Sequence, residues 1–423
     1  MTLLVGCAGA PRQPAAVHDL LIDDVTVVDV ASGALLAHRR VLIDGESITA
    51  VLERHGPPPR ARVRLDGRGR FLLPGLWDMH VHALWSGEAR RHFLPAFVRM
   101  GVVGIRDRGG DFGVLAEARA DLAGGAPLPR IVAAGQVLDG PEPIQAEISV
   151  GAQDAEAARQ RVRELKDKGA DFIKVYTLLP RDAYFAAVEE ARSLGLPVAG
   201  HVPADVGVVE AAAAGQRSIE HLRDEIEPFC TLAASAECLE ILRKLRQYDA
   251  WQVPTLVALH AKATLDDPAR RADPRLASLP ASLAEEWRGA IASKARRPAG
   301  YFEDKRRRFD GELALVLAIA REGVGLLAGS DAGVAFAYPG DGLHEELALM
   351  VRAGLSPREA LATATLGPAR FLGRADRAGS VQAGHDADLL LLSADPLRDI
   401  AATRRIEAVV LRGKLLHEKD PAP

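Results

Sequence analysis

The 423-residue chain is poor in several things that would decide its class. It has three cysteines, too few for the disulfide framework of a small secreted domain, and no CxxC pair of the zinc-binding kind. Lysine and arginine total 53 against 57 aspartates and glutamates, a net charge of −4. No basic surplus is available to neutralise phosphates, so nucleic acid is not an expected partner. No apolar run approaches the roughly 20 residues that span a membrane. The one basic cluster, Lys305-Arg306-Arg307-Arg308, reads as a solvated helix face. What remains, 48% hydrophobic and 26% charged residues, suits a globular protein with one large domain and a satellite.

The N-terminus stands apart. Leu4-Val5-Gly6-Cys7, followed by Ala8-Gly9-Ala10-Pro11, resembles a bacterial lipobox, whose cysteine is lipidated after cleavage. Six residues precede Cys7 and none is basic. An export signal needs a basic n-region and an apolar stretch of about 7–15 residues. The expectation is therefore conditional. A start upstream of Met1 makes the protein periplasmic or a membrane-anchored lipoprotein, with residues 1–18 as leader and tether and Cys7 as its only membrane attachment. Otherwise it is cytoplasmic. Cys230 and Cys238 would pair in an oxidising compartment and sit as small core residues in a reducing one; two cysteines make no framework, and the unpaired reading is preferred.

Residues 19–70 are a series of short, alternating, β-branched runs separated by turn residues such as Ser32-Gly33 and Asp44-Gly45. The same texture returns in residues 378–423, at Ala387–Leu392 and Ile406–Leu411. Neither piece has enough apolar surface for its own core, so the two are expected to form one small β-sandwich domain from both chain ends. Between them, residues 71–377 repeat a strand-then-helix rhythm eight times. The expected strands are Leu72–Asp78, Val102–Asp107, Arg130–Gly135, Phe172–Tyr176, Pro197–His201, Ser218–His221, Trp251–Leu259 and Gly325–Ser330. Ser356-Pro357-Arg358-Glu359 is a capping box that opens a last helix through Ala369. Alternating βα units in this number predict a (β/α)8 TIM-type barrel, whose strand C-terminal ends carry the chemistry. The charged, proline-punctuated stretch at about 261–311 is a helical insertion, equally suited to cover an active site or to join copies in a homo-oligomer.

Asp78-Met79-His80-Val81-His82 closes the first barrel strand. Side chains alternate along a strand, so two histidines two positions apart point the same way and make half of a metal site. Lys174, His201, His221 and Asp331 each end an apolar run of their own. Imidazole and carboxylate ligands suit a borderline divalent cation such as zinc. Asp107 reads as a residue that orders loops beside the site, and His92, His260 and His344 as surface or structural.

These words together resemble the metal-dependent amidohydrolase superfamily, in its group related to imidazolonepropionase and prolidase-like dipeptidases. The resemblance is carried by Pro74-Gly75-Leu76-Trp77-Asp78-Met79-His80-Val81-His82, Gly104-Ile105-Arg106-Asp107 and Asp171-Phe172-Ile173-Lys174-Val175-Tyr176. It continues in Ala199-Gly200-His201, Ser218-Ile219-Glu220-His221 and Ala328-Gly329-Ser330-Asp331-Ala332, and runs from about Asp19 to His417. It implies that His80, His82 and Asp331 hold one divalent ion, that His201 and His221 hold a second, and that Lys174, carboxylated by CO2, bridges the two. The implied reaction is hydrolysis of an amide by a metal-bridging hydroxide, with Asp331 taking the proton and passing it to the leaving amine. The implied substrate is a small molecule, a dipeptide or N-acyl amino acid, whose carboxylate would meet Tyr176 and Arg223.

The competing expectation is a mononuclear deaminase or cyclic-amide or lactone hydrolase on the same fold. Such relatives place a glutamate shortly after the fifth-strand histidine. Here His201 is followed by Val202-Pro203-Ala204-Asp205, which together with Lys174 favours two ions. A binding protein with catalysis lost fits poorly with a complete ligand set.

Overall fold

The computed structural model describes residues 17–222, 230, 235–294 and 297–418. Cys7 and Arg223 lie outside the described residues. β1 (His18–Val28) pairs antiparallel with β2 (Leu35–Asp44), which turns through Gly45, at φ +57°, into β3 (Ser47–Glu53). β4 (Ala61–Asp66) and β5 (Phe71–Pro74) run parallel to β1.

The chain then enters a TIM-barrel-like α/β domain. β6 (Leu76–Val81), β7 (Val102–Asp107) and β8 (Arg130–Ala133) form one parallel sheet. A second parallel sheet contains β9 (Val137–Asp139), β10 (Ser149–Gly151), β11 (Ile173–Val175), β12 (Val198–Gly200), β13 (Gln216–Glu220) and β14 (Trp251–Val253). Its order is β10-β9-β11-β12-β13-β14. Helices follow the strands with the local chemistry expected of them. Asp111 and Asp154 accept backbone N–H groups at the starts of Phe112–Ala123 and Ala155–Asp167, and Gly195, at φ +72°, follows the end of Arg181–Ser193.

β15 (Leu389–Leu392), β16 (Ile406–Leu411) and β17 (Lys414–Glu418) complete the first sheet, whose order is β17-β16-β15-β5-β1-β2-β3 with β4 on β1. β15 explains its run of four leucines. Leu389 and Leu391 face a core shared with Ile22, Val27 and Ile43, whereas Leu390 and Leu392 join the core of the barrel-like domain. A strand buried on both faces reads as continuous apolar sequence.

Five expectations need correction. The strand expected over Leu72–Asp78 divides at Gly75 into β5, in the first sheet, and β6, in the barrel-like domain. The strand expected over Trp251–Leu259 stops at Val253; Pro254 and Thr255, the latter at φ +50°, break it, and Leu256–Ala263 is a helix. That helix is mostly apolar and buried, with only His260 and Lys262 partly exposed, which hides its period. The run Gly325–Ser330 is not a regular strand. It still bonds on both sides, since Gln252 N–H donates to the Gly325 carbonyl (2.8 Å) and Met79 N–H to that of Ala328 (2.9 Å). A Cβ on Gly329 would lie 2.6 Å from that of His80, so only glycine fits there. The last helix opens on the capping box at Ser356 but ends at Thr363, and a separate helix follows over Leu366–Phe371. The carbonyls of Thr363 and Ala364 instead accept from Ala328 N–H and from Trp77 N–H in β6. Finally, Cys230 and Cys238 are joined by a disulfide: Cys238 opens the helix Ala236–Gln247 and meets Cys230 in the core.

The stretch at about 261–311 is helical, with elements at Pro268–Arg271, Pro274–Ser278, Ala281–Lys294 and the start of Tyr301–Arg321. Its buried Trp287 packs on Tyr338 (5.1 Å between ring centres) and Phe336 (5.8 Å), just beyond Asp331. No helix among the described residues is long and apolar enough to cross a membrane.

Candidate metal centre

Along β6, Trp77, Met79 and Val81 enter the hydrophobic core, which leaves Asp78, His80 and, just beyond, His82 on the opposite, inward face. Across from them lie the ends of β11, β12 and β13. The four imidazoles form a continuous series: ring centres are 5.5 Å apart for His82 and His80, 4.6 Å for His80 and His221, and 5.0 Å for His221 and His201. Asp331 Oδ1 lies 3.2 Å from His80 Nε2 and 3.5 Å from His82 Nε2. His80, His82 and Asp331 each offer a ligand atom, all within 4.8 Å of one another. Tyr176 stacks on His201 at 4.2 Å, and Lys174 Nζ sits 5.6 Å from the Tyr176 ring. His82, Lys174, Tyr176, His201, His221 and Asp331 line a cavity of about 910 Å3 at the C-terminal ends of the strands, and the helix Ala281–Lys294 contributes Leu283 and Glu286 to it.

All four rings are held by the nitrogen away from the centre. His80 Nδ1 meets Glu220 Oε2 (2.7 Å), His82 Nδ1 the Gly109 carbonyl (3.4 Å), His201 Nδ1 Thr177 Oγ1 (3.0 Å) and His221 Nδ1 Thr255 Oγ1 (2.7 Å). Metal-binding histidines are anchored in this manner, with the outer nitrogen engaged and Nε2 left for the ion. His80 Nε2 is buried and has no hydrogen-bond partner, a costly state for a polar atom unless something occupies the centre. The donor set therefore fits a borderline divalent cation.

The backbone is bent to reach this arrangement. His221 (φ +72°), Thr255 (φ +50°) and Asp331 (φ +57°) are left-handed, a conformation non-glycine residues rarely adopt and one that clusters at functional sites. Asp78 secures one of them: its carboxylate accepts both the N–H and the hydroxyl of Ser330, next to Asp331. Asp107 orders the neighbouring loops, accepting from Ala83 N–H (2.6 Å), Leu84 N–H (3.1 Å) and Gly109 N–H (3.3 Å).

Electrostatics favour ligand-competent forms. Burial pushes His82 down to about 3 and His221 well below the usual imidazole range, so both are neutral. Burial opposes ionisation of Asp331, yet the groups beside it, His221 and His80 first and Lys262 after them, hold its carboxyl well below the usual range. Burial, and after it the Arg108 guanidinium, bring Lys174 down to about 7. Glu220 is likewise held well below the carboxylate range, because Arg108 and Arg106 outweigh its burial.

Residues 71–416 match the amidohydrolase family. The chain belongs to that family. As an amidohydrolase it is a hydrolase acting on carbon–nitrogen bonds. It is 28% identical to the imidazolonepropionase of Rubrobacter xylanophilus, over 98% of each chain. Among solved structures it is similar to bottromycin amidohydrolase (TM-score 0.77, 25% identity, 94% of this chain and 86% of that one). It also resembles a putative prolidase from Bifidobacterium longum (TM-score 0.75, 24% identity, 97% of each).

Sequence reasoning did not single out Glu220, Thr177, Thr255, Asp78 or the arginines Arg106 and Arg108, all of which support this amidohydrolase site. Ser218 and Glu220 alternate on one face of β13, a period-2 signal of inward polar groups. Thr177 and Thr255 carry no such signal. His344, bonded to Thr403 and the Met100 carbonyl, is structural.

Proposed function

We propose that this amidohydrolase is a binuclear enzyme that cleaves the amide bond of a dipeptide or N-acyl amino acid. The observation that carries the reading is the set of four histidines, each fixed through Nδ1, facing one another beside Asp331 and Lys174. His80, His82 and Asp331 would hold one divalent cation, in our reading zinc, His201 and His221 a second, and carboxylated Lys174 would join both. Such ions supply Lewis acidity at a carbonyl oxygen and lower the pKa of water. Asp331, at the cavity floor, takes the proton of the attacking water and returns it to the leaving amine. Tyr176, and Arg223 beyond the described residues, would meet the substrate's carboxylate. The insertion, whose helix Ala281–Lys294 lines the cavity, is its cover. In this account the inner domain, 71–377 apart from β5, is a closed eight-stranded barrel, and residues 19–70 and 378–423 form with β5 a sandwich outside it. The Cys230–Cys238 disulfide favours an oxidising compartment and hence export, with Cys7 as the lipid anchor.

A screen of dipeptides and N-acyl amino acids tests the reading. Turnover that a chelator abolishes and Zn2+ restores is the expected result; a silent screen with turnover of lactams, lactones or amino-purines instead would overturn it. One observation favours that second, mononuclear reading: the tight three-member ligand cluster is His80, His82 and Asp331 alone among the described residues.

A further inference from the structure

We propose that Arg108 is a positioning residue whose guanidinium receives the carboxylate that Lys174 acquires from CO2. The inference rests on the reading of Lys174 as carboxylated.

Arg108 follows β7, its N–H donating to the Val81 carbonyl (2.8 Å), and its side chain is fully buried inside the barrel-like domain. Nη2 lies 2.7 Å from Glu220 Oε1, but out of hydrogen-bond alignment. That oxygen is already crowded: it accepts from Ser218 Oγ (2.7 Å) and Arg106 Nη2 (3.3 Å). Nε, Nη1 and Nη2 of Arg108 are all buried without a hydrogen-bond partner. A guanidinium presents five N–H donors, and leaving them unmet away from water is costly. The guanidinium lies over the Phe172 ring at 5.1 Å, and Phe172 is two residues before Lys174, on the same face of that strand. Spare donors and the lysine amine therefore share one side of β11.

The charges make the same point. Arg106, Arg108 and Lys174 are buried together; Glu220 pairs with both arginines, and Lys174 feels the charge of Glu220 and, after it, of Asp331. Asp107 spends its oxygens on backbone N–H groups, and Asp331 faces His80 and His82. Carboxylation removes the excess. The Nζ lone pair forms a bond to the carbon of CO2, one C=O π bond opens onto oxygen, and the ammonium gives up two protons to water. Lys174 passes from one positive to one negative charge, so one of three clustered cations becomes an anion. The new carboxylate has the planar, two-pronged shape that a guanidinium fork matches.

The test uses the full chain, stripped of metal and re-equilibrated with Zn2+ and graded 13C-labelled bicarbonate, with carbon NMR reading the carbamate resonance that Lys174→Ala abolishes. Wild type should show the resonance, and Arg108→Gln should need about tenfold more bicarbonate or more for half its intensity, the loss of a charge-assisted hydrogen bond. Equal bicarbonate requirements overturn the inference and leave Lys174 carboxylation standing. A wild type without the resonance removes the carboxylated lysine itself, and this inference with it. If Arg108→Gln does not fold, Arg108→Lys decides: it keeps the charge and loses the fork, so a requirement raised above wild type supports the pairing and an unchanged one overturns it.

Discussion

Two cavities lie at opposite ends of the barrel-like strands, and their polar groups are arranged in opposite ways. At the N-terminal ends, about 760 Å3 is lined by Trp77, Phe172 and Phe371 with several arginines. Those arginines are spent on the protein: Arg130 donates to Asp388 (2.7 Å), Arg374 to Asp386 (2.6 Å), and Arg217 pairs with Asp249. Arg106 and Arg217 also lie over the Phe371 ring, at 4.8 and 5.7 Å. At the C-terminal ends, the larger cavity is lined by groups that turn their outer atoms to the protein and their inner atoms to the centre. Both spaces would hold a small molecule, so volume does not separate them. What separates them is what the polar groups face: the lower arginines pair with carboxylates of the fold, although Arg130 Nη2 and Arg374 Nε stay unbonded, whereas the upper imidazoles are tied by Nδ1 and turn Nε2 to the centre. The lower cavity reads as a joint that stabilises the fold, the upper as a site, in keeping with where barrel chemistry lies.

The sharpest break of this comparison is His80→Ala. It should lower kcat/KM by at least about a thousandfold, some 4 kcal/mol of transition-state stabilisation, with loss of bound metal, in a protein that circular dichroism shows to be folded. Retained activity with normal metal content would remove the upper cavity from the chemistry. Glu220→Gln keeps the shape but loses the anion that fixes His80. We expect metal affinity to fall about 10–100-fold, read by competition with a chelating dye. On the other side of the comparison, Arg130→Met should cost about 1–2 kcal/mol of stability in urea melts, since Arg130 is partly exposed, while kcat/KM stays within about twofold. A large activity loss there would mean the two cavities are not separate in role.

The last expected effect is one of pH. Glu346 is buried, with Oε2 accepting from Val257 N–H (2.8 Å) and Oε1 unpartnered, and burial raises its pKa from 4.5 to about 8. The folded state therefore keeps a proton that the unfolded chain releases, and stability falls as pH rises from about 4.5 to 8. Glu346→Gln should flatten that slope and gain on wild type towards pH 8. Parallel stability profiles would contradict the assignment.

The period-2 spacing of His80 and His82 and the strand-end positions of Lys174, His201 and His221 were legible because strands alternate and barrel strands end at the site. The rest was hidden by backbone that departs from those rules. Alternation alone sends Glu220 and His221 to opposite faces; the left-handed turn at His221 brings both inward. Leu256–Ala263 looked like strand because a mostly buried helix of two turns shows too little of a polar stripe to reveal its period. Thr177 and Thr255 became partners only through loops whose course no local pattern encodes. The Cys230–Cys238 pair was hidden because a spacing of eight residues does not by itself report a disulfide.

The central claim is a two-ion centre joined by a carboxylated Lys174, and metal content per chain tests it most directly. Protein purified with bicarbonate, wild type beside Lys174→Ala, is assayed by elemental analysis. The account predicts about two ions in the wild type and a sharp fall in the variant. One ion in both proteins would contradict it.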